Sequence, residues 1–480
     1  MINVFYLAAV FGNRLITFLA VLALAYVLSP TDFGIYTLAF TNALVLQIVL
    51  SNWITNGAGR YMSVAAGGDH GPVSTVAGAV AAVFLLLSIA TIVYAFVPFT
   101  SVPRNMVALV LCWSATLMLY ELTSVMQSAQ SQVAAFSTLS LIRNSAGAIL
   151  SLAGAFLSGA EGAIVGQIIG AIAALLFIPS ARDVWRHAHP RWAKRSLLRA
   201  IFSFGIVGTF ASGLYMSVNF AIRNPVAVAL GEDQAGLVAL AGDLFFVPIT
   251  LIINAFALTQ MPELYRRIEA QAGPEVRAAL LTDFVDQILL FTLPYLAGGA
   301  LLAAPLVAFV LPGELGDNLA AIAAPAALFG AAMGLLNALT IPLLVFRHHL
   351  TLVLLALCTV IATLVSTLLL APRGVPAVLG GATTVIALSA LAAYAVLGIR
   401  GGAGILNGTR LRMIFAAAVM LTLVWAYRQI NSAEPLSALL LGIAVYGAAV
   451  TYLGAFKLGD VLHSRTRPKD AAQAPNNLTD

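Results

Sequence analysis

Four ionisable residues stand out inside otherwise apolar stretches: Arg14, Glu121, Arg143 and Asp243. A charge in a segment long enough to cross a bilayer is costly unless paired or hydrated, so such residues mark binding or translocation sites. A guanidinium is a planar fork of donors that matches phosphate oxygens, which makes Arg14 and Arg143 candidates for holding a diphosphate. Arg14 is flanked by Asn13 and by Thr17, one turn away on about the same face. The competing reading has Arg14 snorkel to the headgroups. Glu121 and Arg143 lie eleven residues either side of position 132. On adjacent antiparallel helices rising ~1.5 Å per residue, both fall about 16 Å from that turn. The shared depth predicts an ion pair, set among Tyr120, Ser124, Ser140, Asn144 and Gly147. That pair is either structural or the wall of a substrate cavity. Asp243 has no evident partner in the sequence and is the candidate site for H+ or Na+ coupling. It could equally accept hydrogen bonds from a helix N-terminus or neutralise a cavity arginine.

Enzymatic patterns are missing. The chain holds no GxSxG, HExxH, Walker sequence or paired Cys/His spacing, so it is read as a non-enzyme without metal or cofactor. Without an ATP site, movement of a substrate would be gradient-driven or facilitated.

The elements that position these residues follow from composition. The 480 residues are 61% hydrophobic and 9% charged, with mean hydropathy +0.98. Soluble domains carry nearer ~25% charge. Apolar runs recur that are long enough for a ~30 Å hydrocarbon layer, and backbone groups there must be satisfied within each segment, so the runs are helices. Fourteen spans are expected, at about 4–28, 34–62, 73–97, 105–129, 133–157, 160–180, 200–222, 236–264, 280–310, 318–346, 350–371, 376–399, 411–430 and 436–458. Cys112 and Cys358 fall within them and are expected to be buried thiols. Arg14 interrupts the first run and no basic region precedes it, which argues against a cleaved signal peptide.

The net charge of +5 reflects orientation rather than nucleic-acid binding. With the N-terminus in the cytoplasm, eighteen of the twenty-four Lys and Arg fall on inward loops and helix ends, and four (Arg104, Arg223, Arg373, Arg428) fall outside. This is a strong positive-inside bias, and it places both termini in the cytoplasm.

The chain also repeats itself. LSPTDFGIYTLA (28–39) and LGEDQAGLVALA (230–241) share Leu28/Leu230, Gly34/Gly236, Leu38/Leu240 and Ala39/Ala241 at an offset of 202, and Gly71-Pro72 recurs as Gly273-Pro274. Six spans per repeat make the repeats parallel. The expected organisation is a six-helix lobe over 1–180, a basic connection over 181–199 and a second six-helix lobe over 200–399. Helices 13 and 14 follow over 400–460, then a disordered tail over 461–480. Trp185, Trp192 and the basic residues of 181–199 suit an elbow at the headgroup surface. Prolines 248, 294, 305, 325 and 342 allow bending of the second repeat. Gly147, Gly154, Gly166 and Gly170 are read as helix-packing positions.

The 28–39 turn, with its following helix ending GAGRY (57–61), resembles the opening of Wzx-like polysaccharide-biosynthesis flippases. These belong to the multidrug/oligosaccharidyl-lipid/polysaccharide (MOP) exporter superfamily. The segment ending MPELYRR (261–267) resembles the corresponding family region of the second repeat. The resemblance implies an all-α, MATE/lipid-flippase-like molecule with a central cavity, in the bacterial inner membrane. It implies alternating-access translocation of undecaprenyl-pyrophosphate-linked oligosaccharide or polysaccharide repeat units, beside a polysaccharide polymerase and glycosyltransferases as partners. It further implies cationic cavity residues, which Arg14 and Arg60 match by position, while Arg143 is added from its depth. Span seven offers only Asn219 and the terminal Arg223, a departure from the peptidoglycan-precursor branch. An ion-coupled small-molecule or drug antiporter, favoured by Glu121 and Asp243, and a non-transporting scaffold of a glycan assembly complex are the alternatives.

Overall fold

A computed structural model describes residues 4–64, 71–96, 106–129, 132–186, 193–269, 274–311, 313–345, 348–401, 407–430 and 434–454. Described residues form fourteen α-helices and no strand. The first five are α1 (Val4–Val27), α2 (Pro30–Val64), α3 (Gly71–Phe96), α4 (Val107–Ala129) and α5 (Val133–Phe177). A short α6 (Pro179–Arg186) follows, then α7 (Arg195–Leu230), α8 (Glu232–Glu269), α9 (Pro274–Val310) and α10 (Glu314–Val345). The last four are α11 (His349–Leu370), α12 (Val375–Gly401), α13 (Gly408–Ile430) and α14 (Pro435–Tyr452). Among the described residues, ten helices are long and apolar enough to cross a membrane, and α1 and α3 add shorter apolar stretches. The protein is a multi-pass membrane protein.

Local chemistry explains the breaks. Ser29 Oγ donates to the Asp32 carboxylate at 2.8 Å and accepts from the Asp32 N–H at 3.1 Å, with Pro30 at the first helical position, so α2 starts there. The long α5 is two arms, because Ser158 and Gly159 leave helical geometry, Gly159 with φ +58°. The arms fold back on one another along small residues. A Cβ on Gly154 would lie 2.0 Å from the Gly162 carbonyl oxygen, and one on Gly170 would lie 2.5 Å from the Gly147 nitrogen. The glycines read as packing positions therefore serve that purpose. Counting both arms and setting aside the eight-residue α6, the helices match the fourteen expected spans.

Two expectations need correction. Span seven, expected to end at 222, continues through Pro225 to Leu230 and carries Arg223 into the interior. Cys112 and Cys358 are exposed on the outer surface of α4 and α11, not buried. An apolar environment outside the protein is a reason for a thiol to sit there as much as an apolar core is.

Helix α2 is the central element. It packs on α4 among the early helices, and on α7 and α8 among the later ones. Its join with α7 runs from an Asn42–Asn224 hydrogen bond of 3.3 Å to Gly57, whose Cβ would meet Ile201 at 2.6 Å. Helix α10 has the matching place among α8, α9 and α12. Helices α13 and α14 pack on each other and on α9. Buried Arg410 anchors α13, pairing with Asp286 on α9 and donating to the Tyr394 hydroxyl on α12.

Candidate functional site

The duplicated turn closes on itself. Gly34 and Gly236, equivalent in the two repeats, lie against each other: a Cβ on Gly236 would sit 2.8 Å from the Gly34 Cα. A Cβ on Gly34 would come within 1.9 Å of the Glu232 carbonyl oxygen. Hydrogen-only side chains let α2 and α8 cross there at backbone contact.

Two turns further along, Arg223 joins the repeats by charge. Its Nη1 donates to Thr41 Oγ1 at 2.9 Å, and its Nη2 to Asp243 Oδ1 at 3.0 Å and to the Ala239 carbonyl at 3.4 Å. Thr41 and Asp243 are equivalent positions of the duplication, so one guanidinium from α7 bridges α2 and α8 across the pseudo-symmetry axis. Asp243, read from the sequence as a coupling-ion candidate or as the neutraliser of an arginine, is half of an ion pair, with side-chain exposures of 4% for Arg223 and 26% for Asp243. The sequence hid this pairing because Arg223 lies at the end of an apolar run and reads as a loop residue. Asn219, one turn away on α7, is buried beside it.

The second cluster lies among the early helices. Arg143 Nη1 donates to Asn144 Oδ1 at 2.7 Å, and its guanidinium carbon stands 5.0 Å from the centre of the Tyr120 ring. Tyr120 in turn donates to Ser140 Oγ at 3.0 Å. Glu121 lies within electrostatic range of Arg143 and Arg14. Among the described residues, the groups touching the Arg143 guanidinium are Asn144 and Tyr120, not the expected Glu121. Arg143 Nε is buried without a hydrogen-bond acceptor.

Arg14 is exposed, while Asn13 is buried and Thr17 Oγ1 bonds back to the Asn13 carbonyl at 2.9 Å. Helix α1 packs on α2, α5 and α8, whereas Glu121 belongs to α4. Arg60 belongs to α2, and its side chain lies outside the described residues.

Tyr36 is buried on α2, its ring centre 5.6 Å from that of Trp113 on α4. Two separate polar clusters are formed, Arg143 with Asn144 and Tyr120 on α5 and α4, and Arg223 with Thr41 and Asp243 on α7, α2 and α8.

A lateral groove of about 690 Å³ opens on the other half, between α8, α9, α13 and α14. Leu290, Phe291, Leu301, Val424, Leu439 and Ile443 form its apolar walls.

No family model matches the chain, and no curated protein matches its sequence. Solved structures do. Lipid II flippase MurJ in an inward closed conformation superposes with a TM-score of 0.72 at 15% identity, over 97% of this chain and 100% of that one. The chain has the fold of MOP-superfamily transporters. An inward-facing multidrug resistance MATE family transporter of that superfamily gives 0.62 at 14% identity, over 81% of this chain and 94% of that one. An outward-facing MATE family transporter gives 0.55 at 13% identity, over 83% and 93%. At these identities the likeness carries the fold, and the chemistry rests on the residues above.

Proposed function

We propose that this protein translocates an isoprenoid-pyrophosphate-linked glycan across the bacterial inner membrane by alternating access, with residues 1–180 and 200–399 as the two moving lobes. The observation that supports this reading is the setting of Arg143, whose guanidinium is held by Asn144 and Tyr120 while its buried Nε has no acceptor, with Glu121 on the same pair of helices. A diphosphate entering hydrocarbon needs its charge compensated. Two guanidiniums poised by one carboxylate supply that compensation, and the carboxylate keeps them from repelling each other when no substrate is bound. Asn13, Thr17, Tyr120 and Asn144 supply hydrogen bonds, with Asn219 deeper in the seam. The apolar groove between α9, α13 and α14 suits the isoprenoid chain. Arg223 acts as the latch of the outer crossing. A proton or Na+ taken up by Asp243 would release it and open the molecule outward. No bond is made or broken in the cycle.

Depletion of the protein should leave lipid-linked glycan in the cytoplasmic leaflet. Wild type should restore outer-leaflet glycan, and Arg14→Gln at equal abundance should not. Equal outer-leaflet glycan in depleted and normal cells rules against the proposal. A drug or cation antiporter is the second reading, and Glu121 is the observation that favours it, as a carboxylate in the membrane. That reading expects gradient-driven efflux of a cationic dye, lost on Glu121→Gln.

A further inference from the structure

The end of α5 and the short α6 build a pocket that the transport cycle does not use. Helix α5 stops where Ile178 adopts extended geometry (φ −90°, ψ 114°), and Pro179 restarts the chain as α6 in a new direction. The N-terminal end of α6 is fixed by Ala181 and Ile178, buried with Tyr120, Leu139 and Ala174. Its C-terminal end is fixed by Trp185, whose Nε1 donates to Thr123 Oγ1 on α4 at 2.8 Å. Between these anchors lies a space of about 740 Å³, with Leu119, Leu175 and Leu176 on its apolar side and Arg182, Trp185 and Arg186 on the other.

Arg182 and Arg186 are one helical turn apart and both exposed, so their guanidiniums reach over one face of α6, at side-chain bases about 5–6 Å apart. Asp183 shares the helix, and its side chain lies outside the described residues. Leu176 and Phe177, just before the bend, are exposed at 57% and 80%, so the apolar side of the pocket continues onto the outer surface of α5. A ligand here must combine an anionic oxygen group with a hydrocarbon body lying along a membrane helix. Inorganic phosphate has only the first and a neutral acyl chain only the second. Tryptophan at the boundary, apolar body inward and N–H fixed, is the side chain expected at headgroup level.

We infer that this pocket is a specific binding site for an anionic phospholipid of the cytoplasmic leaflet. The phosphate sits between Arg182 and Arg186, and an acyl chain lies over Leu175, Leu176 and Phe177. The leaflet follows from the inward placement of the basic loops. Arg182, Trp185 and Arg186 have no part in the proposed glycan handling, so failure of this site would leave the transport proposal standing.

The test is native mass spectrometry of the detergent-solubilised full chain, titrated separately with phosphatidylglycerol and phosphatidylcholine. Replacing both arginines (Arg182→Gln with Arg186→Gln) should raise the apparent Kd for phosphatidylglycerol at least about tenfold, as loss of two charge-assisted contacts requires. Phosphatidylcholine binding should not change. Arg195→Gln with Arg199→Gln, two exposed basic residues at the start of α7, should change phosphatidylglycerol binding less than about twofold. Trp185→Phe should weaken binding by an intermediate factor, and each single arginine variant covers the case in which the double variant does not fold. Equal binding by wild type and Arg182→Gln/Arg186→Gln would overturn the site. So would an equal loss in the α7 control, which would mean diffuse surface charge. Displacement of the lipid by millimolar inorganic phosphate would also overturn it, since that outcome assigns the pocket to a free anion.

Discussion

The arginines within the helices have their charge neutralised differently. Arg223 has an ion-paired carboxylate and two further acceptors, all on neighbouring helices. Arg143 has an amide and an aromatic face, with Glu121 acting at longer range. A tightly paired arginine holds structure, and a loosely compensated one can still take a phosphate. Arg223→Gln should therefore destabilise the protein by about 3 kcal/mol, the low end for breaking a buried pair, because Asp243 keeps 26% exposure. Arg223→Gln with Asp243→Asn should recover most of that loss. Thermal unfolding in detergent reads both, and strictly additive losses would show that the pair is not coupled. Arg143→Gln should leave the unfolding temperature closer to wild type and lower glycan translocation instead. The sequence showed Arg14, Glu121, Arg143 and Asp243 because each interrupts an apolar run. It did not show that Arg223 belongs with Asp243. Nothing in the residues between them records which helix faces meet, and the Arg410–Asp286 pair on α13 and α9 was hidden for the same reason.

Among the elements, α2 and α8 depend on the smallest residues in the chain. Gly34 and Gly236 meet with so little room that a methyl group on Gly34 would overlap the Glu232 carbonyl at 1.9 Å. Gly34→Ala should push the crossing apart and favour an outward-open molecule. Maleimide labelling of a cysteine placed at Ser29, in a variant with Cys112 and Cys358 replaced, should then rise several-fold over the same reporter with Gly34 intact. Unchanged labelling would mean that the crossing does not gate access. This element was legible as a repeated turn, since Gly34 and Gly236 fall in register with the apolar runs that follow. That the two copies would touch follows from parallel repeats related by an axis through the turn, and sequence register alone does not supply that axis. The α5 hairpin was better marked, with glycines at helical spacing on both arms and Gly159 between them.

At the scale of the whole molecule, the span count follows from apolar length, and the fold follows from the span count together with the internal repeat. Substrate identity does not follow from either, because MurJ and MATE transporters share the architecture. It depends on how a few charges within the helices are compensated. If release of the Arg223–Asp243 pair couples an ion gradient to opening, Asp243→Asn should uncouple translocation from a proton or Na+ gradient while glycan binding persists. The central claim is that Arg14 and Arg143 carry a diphosphate headgroup across the membrane. It is tested most directly in proteoliposomes holding a fluorescent undecaprenyl-pyrophosphate-linked glycan in one leaflet, by the rate at which the glycan becomes accessible to an impermeant lectin on the other side. Wild type should exceed protein-free vesicles, with Arg14→Gln and Arg143→Gln each slower by about tenfold or more. A wild-type rate equal to that of empty vesicles, or unchanged rates in both variants, would contradict the account.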